Sequence, residues 1–334
     1  MRKSIILMVI FCTLFTGITK AQVDPHFSQY YAYPLWLNPG LTGAMDASYR
    51  VTILHRSQWA GITSPFSTFG ATADFVAGKK MNFGGAILNQ TAGDGGYNYL
   101  TANVSLAYTG LQFDADGFKR IAIGMQLGIL SRKFNPSKFQ FGDQWNPITG
   151  YNPSNPTLDV LTKTASSVFD AGAGAVYYDG TPGKKANLFL GFSAAHLTQP
   201  NDPFITGPDK QKLPIRFTAH GGIRLALGDQ VTITPNALFM QQGSAQEKMI
   251  GAFAQLKAGN MLDLLLGVNY RLDDAISPYA GFIYKNFSLG ASYDVNTSQL
   301  GKMSGGANSF EISFTFYGNK SYKYPASPFI CPRL

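Results

Sequence analysis

Residues 22–62 read QVDPHFSQYYAYPLWLNPGLTGAMDASYRVTILHRSQWAGI. The first half of this stretch is crowded with Tyr, Phe, Trp and Pro and has no regular period. The second half alternates apolar and polar residues, as a half-buried strand does. A hydrophobic leader stands before the stretch and a long series of similar strands follows it.

The leader begins with Arg2 and Lys3, continues as an apolar run from Ile5 to Phe15, and ends in Thr19, Lys20 and Ala21. A basic start, an apolar run too short to span a bilayer and a small residue before the break predict a secretory signal, residues 1–21, cleaved after Ala21. Cys12 follows the bulky Phe11, which argues against a lipoprotein cleavage site. Loss of Arg2, Lys3 and Lys20 leaves 24 basic and 19 acidic residues, a net charge of +5. The basic residues are dispersed rather than clustered, so a nucleic-acid partner is not expected.

Only 14% of residues are charged, against about 25% in soluble domains, while 36 Gly, 17 Tyr and 25 Phe are high counts for 334 residues. Beyond the leader no stretch reaches the 18 or so consecutive apolar residues of a membrane helix. Period-two strands recur instead. Ile215, Phe217, Ala219, Ile223, Leu225 and Leu227 share one face, and Arg216, Thr218, His220, Arg224 and Ala226 the other. Near the end Phe310, Ile312, Phe314 and Phe316 oppose Glu311, Ser313 and Thr315.

Runs of this kind cover residues 46–59, 65–76, 81–91, 98–110, 119–132, 167–178, 185–195, 213–227, 230–241, 247–258, 261–272, 276–284, 286–296 and 308–317. They are roughly the length a tilted strand needs to cross a bilayer core. Tight connections such as residues 77–80, 228–229, 259–260 and 285–286 alternate with longer ones such as 133–166 and 196–212. An even number of long strands with short turns at one end and long loops at the other predicts an all-β, outer-membrane barrel of about fourteen antiparallel strands, spanning residues 46–317. A soluble sandwich or propeller would use shorter strands, about 5 or 6 residues each.

The alternation turns Arg50, Arg56, Arg216, Arg224, Arg271 and Glu311 toward the lumen. Closure makes the first and last strands neighbours, so Arg50 or Arg56 is expected near Glu311. An even strand count puts residues 22–45 and a tail, residues 318–334, on the periplasmic side. Phe27, Tyr30, Tyr31 and Trp36 are costly to leave in water, and residues 24–44 are therefore expected to pack into or across the periplasmic mouth as a plug. Pro25, Pro34 and Pro39 argue against a regular strand or helix there.

No chemistry-bearing motif is present. His26, His55, His196 and His220 lack metal-site spacing, Asp114–Gly117 lacks the further ligands of a calcium loop, and neither a GxSxG element nor a phosphate-binding loop occurs. No enzyme activity, cofactor or metal is expected. The other reading of such a barrel is a passive diffusion porin or nutrient channel.

Several segments carry a family resemblance. DPHFSQYYAYPLWLNPGLTG, followed by Arg50 and by Arg56–Trp59 (RSQW), resembles the N-terminal signature of the PorP/SprF outer-membrane proteins of type IX secretion and gliding systems. FQFGDQ at 139–144, HLTQP at 196–200, LPIR at 213–216, FEISFTFYGNK at 310–320 and ICPRL at 330–334 are similar to further family segments, in order along the chain. The resemblance implies a non-catalytic outer-membrane component that assists export or surface attachment of a secreted cargo protein or adhesin and contacts periplasmic or outer-membrane machinery. Asp143 and Gln144 in the long loop, with Cys331, Pro332 and Arg333 in the tail, are the candidate partner contacts. Cys331 is the one cysteine left after removal of the signal, so it has no intramolecular disulfide partner.

Overall fold

A computed structural model of the chain describes residues 24–59, 64–78, 80–159, 163–201, 212–298 and 308–319. The expected signal, 1–21, and nearly all of the expected tail, including Cys331, Pro332 and Arg333, lie outside the described residues. Among those described, fourteen antiparallel strands close into a barrel. They are β1 Tyr49–Gln58, β2 Phe66–Val76, β3 Met81–Ala92, β4 Tyr97–Gln112, β5 Lys119–Lys133, β6 Ala165–Asp179, β7 Ala186–Ala195, β8 Arg216–Leu227, β9 Val231–Gln242, β10 Ala245–Lys257, β11 Leu262–Arg271, β12 Ala275–Tyr284, β13 Phe287–Asn296 and β14 Ser309–Gly318. Each pairs with its chain neighbours, and β1 pairs with β14 to close the wall.

The two faces differ as the alternation requires. Along β1, Arg50, Thr52, Leu54, Arg56 and Gln58 are buried, whereas Val51 and Ile53 are exposed on the outside. Phe69, Phe83, Ile87, Val104, Leu127, Phe192, Phe217, Phe310 and Phe314 extend that outer apolar surface around the barrel. In water so much exposed apolar area would aggregate. Against lipid it is the favourable face, and closure leaves no strand edge unpaired.

Connections at one end are short: residues 77–80, 113–118, 180–185, 228–230, 258–261 and 285–286. Gly228 turns the chain there with φ 82, a region open to glycine at little cost. The opposite end carries the longer loops, including 134–164, in which Trp145–Asn146 pairs with Gly150–Tyr151 as a small hairpin. By the usual polarity of such barrels the short turns are periplasmic and the long loops external.

The apolar cluster of the described residues lies inside the barrel and is centred on residues 27–44, including Phe27, Tyr30, Tyr31, Tyr33, Leu35, Trp36, Leu37 and Leu41. Against these pack Leu54, Leu88, Tyr99, Val176, Phe189 and Leu238 from the wall.

Candidate functional site

The site is the lumen with the N-terminal segment inside it. Three short helical pieces shape the segment: 3-10 turns at Tyr30–Ala32 and Pro39–Leu41, and one α-turn at Pro34–Leu37. Pro34 and Pro39 occupy the first helical position, where a missing N–H costs nothing. The expectation that proline excludes helix thus needs correction, since these prolines start the turns. Asn38 caps the second 3-10 turn by accepting from Gly40 N at 2.8 Å. Its amide donates to Ala175 O at 3.1 Å and Phe192 O at 3.2 Å, fixing the segment's middle to β6 and β7.

Asp24 lies at the long-loop end. His196, just past β7, brings Nε2 to 2.6 Å from Asp24 Oδ2, and Arg216, the first residue of β8, donates to the same oxygen at 2.9 Å. Tyr99 OH donates to Oδ1 at 3.2 Å. Nδ1 of His196 lies 2.7 Å from Asp170, so the imidazole sits between two carboxylates. Burial opposes its charge, but Asp24 and Asp170 prevail and lift its pKa to about 9. For Asp24, burial favours the neutral acid, yet His196 and Arg216 hold its carboxyl well below the usual range. Arg216 also stacks its guanidinium 4.1 Å from the Trp36 ring and donates to Trp36 O at 3.1 Å.

A second anchor straddles the seam. Arg56 and Glu311 are cross-strand partners on β1 and β14, and their side chains form an ion pair. The Glu311 carboxylate also accepts from the backbone of Ser28 at 2.7 Å and of Gln29 at 2.8 Å. Ser28 Oγ donates to Asp294 at 2.7 Å, and Arg271 donates to Asp294 at 2.9 Å and to Ser28 Oγ at 3.1 Å. Four strands of the wall therefore converge on two residues of the segment.

The third anchor is at the short-turn end. Arg50 pairs with Asp74 on β2 at 2.7 Å and donates to Leu41 O at 3.2 Å, while Gly43 N donates to Asp74 at 2.7 Å. Between the anchors, inward glycines make room. A Cβ on Gly70 or Gly84 would press on Tyr33 or Leu35, one on Gly174 would meet Asn38, and one on Gly124 would collide with the backbone of Pro39 and Gly40.

Arg50, Arg56, Arg216, Arg271 and Glu311 are thus buried on the inner face, and Arg224 stands half-buried on the same face of β8. Of the two arginines considered for Glu311, Arg56 is its partner; Arg50 sits opposite Tyr317 and uses Asp74. Phe27, Tyr30, Tyr31 and Trp36 are all buried in the lumen. The placement differs from the expected periplasmic mouth. Residues 24–45 run the whole interior, from the long-loop end at Asp24 to the short-turn end before β1, because polar anchors at both ends hold an apolar middle. Asp143 and Gln144 direct their side chains within the long loop: Asp143 accepts from Leu158 N at 2.7 Å, and Gln144 donates to Asn155 O at 3.0 Å. Asp24, Asp74, Asp170 and Asp294 went unrecognised in the sequence, and His196 was noted only for lacking metal-site spacing and as the start of a family-like segment. The readable signal was a lone acid at the head of an aromatic run, which demands basic partners once buried.

The model of the type IX secretion system membrane protein PorP/SprF family matches residues 19–316. The chain belongs to the PorP/SprF family. As a PorP/SprF protein it is an outer-membrane barrel. No curated protein matches it. Solved structures similar to this PorP/SprF barrel include the Ralstonia pickettii toluene transporter TbuX, with 11% identity over 85% of this chain and 93% of that one and a TM-score of 0.49. The P. putida toluene transporter TodX matches with 10% identity over 85% and 93% and a TM-score of 0.48. A Pseudomonas aeruginosa FadL homologue matches with 11% identity over 91% and 96% and a TM-score of 0.44. Likeness at this distance bears on neither ligand nor function. Among the described residues, no group of three His, Cys, Asp or Glu side chains is placed to hold a metal ion.

Proposed function

We propose that the protein is a non-catalytic component of the type IX secretion or gliding machinery, exported by a signal cleaved after Ala21. In this reading it assists export or surface attachment of particular secreted proteins and contacts periplasmic components of the machinery. Family membership gives the system, and the lumen supports the role. A diffusion channel needs an open lumen with a charged constriction. Here the charged groups are spent on anchoring residues 24–45, and large apolar side chains fill the middle. What is left to act is the two rims and whatever docks on them.

Two measurements test the reading. The purified full chain in planar bilayers should remain closed, and a deletion of the chromosomal gene should stop surface delivery of a defined set of secreted proteins while leaving small-solute permeability unchanged. A steady conductance from the intact chain, together with loss of small-solute uptake and normal secretion, would favour the diffusion channel instead.

A further inference from the structure

Over the segment at the long-loop end lies a cavity of about 270 Å³ lined by Asp24, His26, Glu247, Arg271 and Asp274, with Pro25, Met240 and Leu272 as apolar wall. Three polar atoms of its lining residues are shielded from solvent and have no hydrogen-bond partner: His26 Nε2, Glu247 Oε1 and the donor Arg216 Nε, which lies beside the Trp36 ring. His26 is only 4% exposed. The first two are acceptors once the imidazole is neutral with its proton on Nδ1. Burial, reinforced by the nearby Arg271 and Arg56 guanidinium groups, keeps it neutral.

The charged groups around the cavity are paired with one exception. Arg56 pairs with Glu311 and Asp294, and Arg271 with Asp294 and Asp274. Glu247 lies near enough to feel both guanidinium groups. Arg216, which also lines the cavity, pairs with Asp24. Glu247 forms no ion pair with any described residue, and a shielded acid without one calls for a cationic partner. Lys248, at the rim, is exposed on the outer side of its strand.

We infer that this cavity binds an alkylammonium group. Its N–H donors match Glu247 Oε1 and His26 Nε2, and its carbon chain matches Pro25, Met240 and Leu272. A bare metal ion suits the site less well, because the space is larger than one ion and a third ligand is lacking. The group has two sources. One is a diffusible alkylamine. The other is the chain's own terminal ammonium, since cleavage after Ala21 puts the new amino group two residues ahead of Asp24, within roughly 7 Å of extended chain.

The test uses the full chain purified from outer membranes in detergent, with n-butylammonium as probe and n-butanol as its uncharged control. If the source is diffusible, calorimetry should show saturable binding of the amine and not the alcohol, weakened about tenfold or more by Glu247→Gln and by His26→Phe. If the terminus fills the site, the probe should not bind, and acylation of the terminal amine should run about tenfold faster in Glu247→Gln than in the unmodified chain. Heat-modifiable migration checks that each variant remains a closed barrel. Probe binding indifferent to Glu247→Gln overturns the inference. So does absence of binding combined with equal acylation rates or with a terminus that carries no free amine.

Discussion

His196 is wedged between Asp24 and Asp170, and its charge makes the outer anchor pH-dependent. Its pKa of about 9 in the fold lies above the 6.5 of the free side chain, so its stabilisation is complete below about pH 6.5 and is lost as pH rises through about 9. A shift of that size corresponds to roughly 3 kcal/mol. Asp24 has the opposite sign: its contribution holds above the free value of 3.8 and fades as pH falls below it. Limited proteolysis near Asp24 should therefore be slow between those limits and accelerate above about pH 9. The chain with His196→Ala should be cut readily at neutral pH and show little further increase on the alkaline side. Glu311→Ala should be more damaging, at about 3–5 kcal/mol, because it leaves two backbone N–H groups of the segment without acceptors and buried Arg56 with Asp294 as its remaining carboxylate. A thermal melt of the two barrels compares them directly. The Arg56–Glu311 pair was legible because closure and alternation are both properties of sequence. Asp24 was not, since its partners stand 172 and 192 residues away and its own segment has no period from which to read a register.

The segment of residues 24–45 is an element without a standard name, built of three helical turns inside a wall that meets it with both polar and apolar side chains. Its large buried side chains each contribute about 1.5–3 kcal/mol, so removing it exposes a lumen designed to be filled. Deletion of residues 24–44 should convert a closed barrel into a conducting one in planar bilayers, and a deletion variant that folds yet conducts no better than the intact chain would contradict the plug. Gly124→Val is the gentler version. The added side chain meets the backbone of Pro39 and Gly40, which cannot rotate away as a flexible side chain could. The expected outcome is a barrel of normal heat-modifiability with intermittent conductance. At the other end of the chain, truncation after Lys320 leaves all fourteen strands intact, so insertion should be normal while secretion fails if the ICPRL end carries a partner contact. Aromatic composition made the segment's burial readable. Its helical turns were not, because proline was weighed as a breaker rather than as a first helical residue.

The whole molecule presents lipid with a continuous apolar band, and that band tolerates charge poorly. Phe314→Arg should cost about 2–4 kcal/mol if it lies at mid-depth, read as a loss of assembly into lipid vesicles; Thr315→Ser, on the inner face, should leave assembly unchanged. Strand number and boundaries were legible to within a few residues, since fourteen alternating runs and their turns repeat one signal many times. The path of the chain through the interior was not, because alternation describes a wall and says nothing of what the wall encloses. That path leads to an expected order of assembly. Asp24 is at the outer end, β1 starts at the inner end, and the hydrogen bonds from Ser28 and Gln29 end on the strand that closes against β1. Drawing Tyr33, Leu35 and Pro39 past the inner glycines of a finished cylinder is a harder route than rolling the sheet around them, so the β1–β14 zipper is expected to fasten last, over Ser28 and Gln29. A bead fixed to the head of the thread, such as a small folded tag placed ahead of Asp24, would then be left on the cell's exterior, where an antibody could reach it on intact cells.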